Sequence, residues 1–164
     1  MPSLRLTTLR PDNPMTRYQE LIDAWLRKDR NPAPVAELVG FQLTGFEDGV
    51  SRLELDAGNR HHNPMGVVHG GILCDLADAA MGVAFAATLE EDESFVTLQL
   101  SASYLRSVRE GRLTATGRVV QRGDNAGHCE AEIVDAEGQL IARFSSTCLV
   151  LKDGAAWTDR SSGT

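Results

Sequence analysis

At 164 residues the chain has room for one domain core rather than two. A formal net charge of −7 argues against a broad phosphate-binding surface, so a nucleic-acid partner is not expected. Aromatics make up only 5% of the residues, which leaves the core to Leu, Val, Ala and Ile.

Residues 1–13 read as a loose arm. A helix is expected to start near Pro14 or Thr16, because Tyr18, Leu21, Ile22, Trp25 and Leu26 recur at helical spacing. The polar run at 28–32 ends it, and 34–38 reads as a short second turn. The period then changes to two. Residues 39–46 and 50–55 read as strands joined by Asp48-Gly49, a hairpin turn signal. A loop over 57–68 carries His61, His62, Asn63, Pro64 and Gly66. A second helix is expected from Gly70 or Gly71 to about Leu89. It is apolar on nearly every side, so it should be the buried central helix. Four strands follow, at 95–104, 112–121, 128–135 and 139–151, and their short turns predict antiparallel meander pairing. In the first of them Thr97 should point away from the face of Val96, Leu98, Leu100, Ala102 and Tyr104.

The expected class is therefore α+β, with one long helix against an antiparallel sheet and an extra N-terminal helix. The expected organisation is an arm and helical extension over 1–32, a domain over 33–152 and a flexible tail over 153–164. Cys74, Cys129 and Cys148 are far apart, odd in number and without a CxxC. They read as free thiols in a reducing, cytoplasmic compartment. No signal peptide is read at the start, and no apolar stretch approaches the ~20 residues that span a bilayer.

The chemistry concentrates in residues 63–78. His69-Gly70-Gly71 stands where a loop becomes a helix, and the first N–H groups of a helix lack partners within it. Such a terminus suits an anion or a developing oxyanion. Asp78 lies two turns further on among apolar residues. A carboxylate tuned by burial and by nearby donors can act as general base or as nucleophile. Asp75 is read as a first-turn acid that favours the helix dipole. His69 is open between base, carbonyl polariser and packing residue. His61, His62, His69 and Asp78 match no zinc spacing, so no metal is expected. Neither GxSxG, GxxxxGK[ST] nor GxGxxG occurs, which argues against a serine elbow, a phosphate loop and a dinucleotide fold.

Asn63, Gly66, His69-Gly70-Gly71 and Asp78, followed by the strands, resemble the hotdog-fold acyl-CoA thioesterases of the phenylacetate-degradation type, within the hydroxybenzoyl-CoA thioesterase superfamily. The resemblance covers about residues 39–151. It implies a curved antiparallel sheet wrapped around the central helix and hydrolysis of an acyl-CoA without a cofactor. Asp78 would then be base or nucleophile, and Asn63 would hold the attacking water. The Gly70 N–H would polarise the carbonyl, His69 would support it, and Thr97 would assist. Gly66 and Gly71 would line the substrate, and Arg106 and Arg122, out of Arg106, Arg109, Arg118 and Arg122, are the candidates for the CoA phosphates. It further implies a homodimer joined edge to edge, with Asn63 and His69 from one subunit and Asp78 from the other, pairing again into a homotetramer. A hotdog hydratase or dehydratase, and a non-catalytic acyl-CoA-binding module, are the competing readings.

Overall fold

The computed structural model describes residues 15–152. The expected arm at 1–13 and tail at 153–164 lie outside the described residues.

Helix α1 (Arg17–Leu26) begins at a capping box, in which Thr16 accepts from the Gln19 N–H and the Gln19 side chain returns a bond to the Thr16 N–H. Its buried stripe is Tyr18, Ile22 and Trp25. Helix α2 (Pro34–Val39) has proline in its first turn and ends on left-handed Gly40. Strands β1 (Phe41–Glu47) and β2 (Val50–Ala57) form the expected hairpin. Asp48 and Gly49 both take positive φ, at 51° and 76°, as a turn matched to strand twist requires.

Helix α3 (Gly70–Ala86) is the long central one. It is followed by β3 (Glu93–Tyr104), β4 (Gly111–Arg122), β5 (Ala126–Val134) and β6 (Leu140–Lys152). The six strands make one antiparallel sheet in the order β1-β2-β4-β5-β6-β3. Helix α3 packs across β2, β4, β5, β6 and β3.

Two expectations need correction. The last four strands are not a simple meander: β4, β5 and β6 are, but β3 pairs with β6 and β4 pairs with β2. The chain can do this because residues 105–110 form no hairpin. The Leu105 and Arg106 N–H groups bond to Ile141 O, and Val108 O accepts from the Val68 N–H, so the connection leaves the β3 edge and returns beside β2. The alternation read for β3 also breaks. A bulge lies between Thr97 and Gln99, where Leu98 is the extra residue against β6. It switches the inward parity, so Phe95 and Thr97 face the helix, and so do Leu100, Ala102 and Tyr104.

The sheet-facing side of α3 is packed without slack. A Cβ on Gly117 of β4 would lie 2.4 Å from the Ala80 backbone carbon, so only glycine lets helix and strand come this close. Next to it the buried Ser51 hydroxyl donates to Ala80 O at 2.6 Å. Among the described residues no helix is long and apolar enough to cross a membrane.

Candidate active site

The candidate residues fall into two groups along α3. The first surrounds its N-terminus. His69 is the N-cap, and its Nδ1 accepts from the Gly71 N–H at 2.8 Å. In the neutral ring the proton therefore sits on Nε2, which makes exposed His69 an outward N–H donor and leaves Nδ1 unavailable as a base. The Gly71 N–H is thereby used inside the protein. The Gly70 N–H has no hydrogen-bond partner among the described residues and remains open at the positive end of the helix.

The Gly70 carbonyl accepts from the Tyr104 hydroxyl at 3.1 Å. A Cβ on Gly70 would stand only 3.0 Å from the Tyr104 ring. The same hydroxyl lies 3.1 Å from Cys74 Sγ, and the bond to Cys74 with partial burial pushes the phenol up to about 12, so it stays protonated. Sequence reasoning missed Tyr104, because an aromatic at the end of a strand carries no signal of the helix terminus beneath it. Cys74 is half-buried in this contact, whereas Cys129 and Cys148 are fully buried, as expected of free thiols.

The loop before α3 is tied to itself. Asn63 Oδ1 accepts from Met65 N–H at 2.9 Å and Val67 N–H at 3.4 Å, and Gly66, with φ of 73°, bonds back to Asn63 O. What Asn63 can still offer is its side-chain NH₂. His61 is buried, with Nδ1 accepting from the Gly58 N–H and Nε2 donating to Val39 O at 2.8 Å. His62 Nε2 lies 2.7 Å from Arg109 O. These two rings hold the loop. Arg106 and Arg109 are exposed on the 105–110 connection that borders it, and neither has a hydrogen bond or ion pair from its side chain among the described residues. Arg122 sits elsewhere. Its guanidinium is half-buried at 2.7 Å from Glu93 and stacks over Phe85, near the far end of α3. Arg118 is paired with Glu130.

The second group lies mid-helix. Asp78 is half-buried, and its Oδ1 accepts from the Thr97 hydroxyl at 3.3 Å. Burial raises its carboxyl above the ordinary 3.8, the Thr97 bond pulls it back, and the charge of Asp75 raises it further. Asp75 is three residues earlier on the same side of the helix, in the second turn. The first turn holds no acid, so the dipole role expected for Asp75 does not apply. Both carboxylates border a cavity of about 300 Å³ between α3, α1 and β3.

The two groups are far apart within one chain. Asp78 lies eight residues after Gly70, and at 1.5 Å per residue that is roughly 12 Å along the axis. One group offers an open N–H donor and the other a half-buried carboxylate.

Comparison with known proteins places the chain among thioesterases. A model of the thioesterase superfamily matches residues 65–142, which span α3 and strands β3 to β5. A 1,4-dihydroxy-2-naphthoyl-CoA hydrolase of Listeria monocytogenes is 29% identical over 116 residues, covering 71% of this chain and 94% of that protein. Among solved structures, a conserved protein of Pseudomonas aeruginosa is 32% identical with a TM-score of 0.68, covering 73% of this chain and 94% of that one. A phenylacetic acid degradation-related putative thioesterase of Ralstonia eutropha is 29% identical with a TM-score of 0.72, covering 79% and 98%. With the helix-on-sheet architecture, these matches show a hotdog-fold thioesterase, a thioester hydrolase, whose residues 65–142 follow the pattern of the thioesterase superfamily.

Proposed function

We propose that the protein hydrolyses an acyl-CoA in a site shared by two copies, with Asp78 of one subunit acting on a carbonyl held by the Gly70 N–H of the other. One observation carries this reading. Two hydrogen bonds tie the two halves of the site to opposite ends of the same edge strand: Thr97 to Asp78, and Tyr104 to Gly70. Strand β3 has one side paired with β6 and ends the sheet, and it exposes Val96, Leu98 and Tyr104, with Leu105 beyond it. A long apolar edge of this kind is a template for strand pairing. If β3 pairs antiparallel with its copy about a centre between Leu100 and Ser101, Thr97 of one chain stands opposite Tyr104 of the other. Asp78 then approaches the Gly70 N–H of the partner subunit, and the two-fold symmetry makes two such sites.

In the reaction, Asp78 takes a proton from water as the water oxygen attacks the thioester carbon. The carbonyl oxygen gains the negative charge and accepts from the Gly70 N–H. Collapse of the intermediate breaks the C–S bond and releases CoA thiolate and the acid. The raised proton affinity of Asp78 supports a base over a direct nucleophile. The Asn63 NH₂, whose carbonyl is committed to its own loop, would orient water or carbonyl, and Arg106 and Arg109 are the cations open to CoA phosphates, in preference to paired Arg122. Pairing of dimers into tetramers is the further expectation for this assembly.

The test is thiol release from a panel of acyl-CoAs by wild type and Asp78→Asn, alongside sedimentation of Leu98→Lys. The reading expects turnover in wild type only, and a Leu98→Lys protein that is monomeric and inactive. A fully active monomer would sink the shared site.

A further inference from the structure

Helix α1 precedes the thioesterase match, which begins at residue 65, yet it closes the cavity that reaches Asp78. We infer that α1 is the specificity wall of the acyl site, and that Tyr18, Leu21, Ile22 and Trp25 set the size and shape of the acyl group admitted. This rests on the hydrolytic reading above, which supplies the carboxylate at the mouth.

The geometry of the cavity carries the inference. Its polar end is Asp75, Asp78 and Thr97, and every other residue around it except Tyr18 is apolar or glycine. Helix α3 contributes only small side chains to the floor, namely Ala79, Gly82, Val83 and Ala86. Opposite them α1 supplies Tyr18 and Trp25, while Phe95 of β3 and Phe41 of β1 complete the walls. A small-residue floor beneath aromatic rings is a slot for something flat. The volume of about 300 Å³ sets its size. A dry cavity of roughly 150 Å³ accepts one benzene ring, so this one accepts about two.

The wall is fixed in place. The Tyr18 hydroxyl donates to Glu93 O at 3.0 Å, Gln19 Nε2 donates to Ala87 O at 3.2 Å, and the Arg17 N–H donates to Glu91 Oε2 at 3.0 Å. These bonds anchor the start of α1 to the connection between α3 and β3. The slot is therefore preformed and does not wait for substrate to assemble it. The occupant is the acyl part of the thioester, flat and apolar and on the scale of two fused rings, its carbonyl at the Asp78 end.

The experiment compares kcat/KM on butanoyl-CoA, 2-naphthoyl-CoA and 9-anthroyl-CoA for wild type, Leu21→Trp and Trp25→Leu. Leu21 is half-exposed, so Leu21→Trp narrows the slot with little risk to folding; circular dichroism checks the fold of each variant. A second readout is free of catalysis. In an Asp78→Asn, Trp157→Phe protein, Trp25 is the remaining tryptophan, and 2-naphthoate should quench its fluorescence saturably. The wall predicts that Leu21→Trp lowers kcat/KM on naphthoyl-CoA at least ten-fold more than on butanoyl-CoA, and that Leu21→Phe, which adds no second indole, raises the naphthoate concentration at half-quench at least ten-fold. Trp25→Leu should raise the anthroyl-to-naphthoyl ratio several-fold. Equal effects of Leu21→Trp on all three thioesters, or none, with no quench, would overturn the wall and leave hydrolysis standing. Saturable quenching weakened in Leu21→Phe, with no turnover of any thioester by wild type, would keep the wall and overturn the hydrolytic reading.

Discussion

The two long faces of α3 are made from the same kind of residue and do opposite things. Toward β4 the helix backbone is so close to the sheet that a single added methyl at Gly117 meets Ala80 at 2.4 Å. Toward α1 its alanines and Gly82 leave a cavity of about 300 Å³ with two carboxylates at one end. Small side chains therefore give close packing where a flat partner can approach, and an open slot where the partner is a helix held off by Tyr18 and Trp25. An apolar helix is core or pocket floor according to what is laid against it.

The largest effect expected from breaking this contrast is chemical. Asp78→Asn should lower kcat by about 10³-fold, the usual share of a general base. The same variant should be more stable than wild type at neutral pH. Because burial raises the folded carboxyl above 3.8, the protonated form is favoured by folding; that stabilisation is complete below the unfolded value and is lost as pH rises through the folded one. Melting curves of the two proteins should therefore converge below about pH 3.8 and separate above it, with Asp78→Asn the higher.

Next comes a matched pair of glycines. Gly117→Ala should cost up to about 3 kcal/mol in urea unfolding, because both atoms in conflict belong to packed backbone elements. Gly82→Ala, on the cavity side, meets only the Phe95 ring at an ordinary 3.6 Å and should be neutral or gain up to about 1 kcal/mol from helix propensity. Equal losses at the two sites would erase the distinction between the faces. The smallest effect is a shift: Thr97→Val removes the bond that lowers Asp78, so the acid limb of kcat/KM should move to higher pH. A limb that stays in place would detach Thr97 from Asp78 in solution.

The site was unevenly legible. His69 preceding two glycines announced a helix terminus, and Asp78 among alanines announced a perturbed carboxylate. Nothing in the order of residues said that His69 would spend its Nδ1 on Gly71, that Asn63 would fold its carbonyl into its own loop, or that Arg122 would be claimed by Glu93. Each of those partners is chosen by backbone geometry or by a residue distant in the chain. Thr97 was placed on the opposite face from Tyr104 by strict alternation, and one unpaired residue, Leu98, undid that.

By itself the sequence determined the elements and their order, because hydrophobic period and turn residues are local properties of the chain. It also determined the helix terminus and the position of Asp78 along α3, through the rise of the helix. The tertiary structure alone decided that β3 leaves the meander for the sheet edge, that α1 lies over α3 as the wall of a cavity, and that Thr97 and Tyr104 of one edge strand meet Asp78 and Gly70. Those outcomes depend on which surfaces meet, and contacts between residues far apart in sequence leave no periodic trace in it.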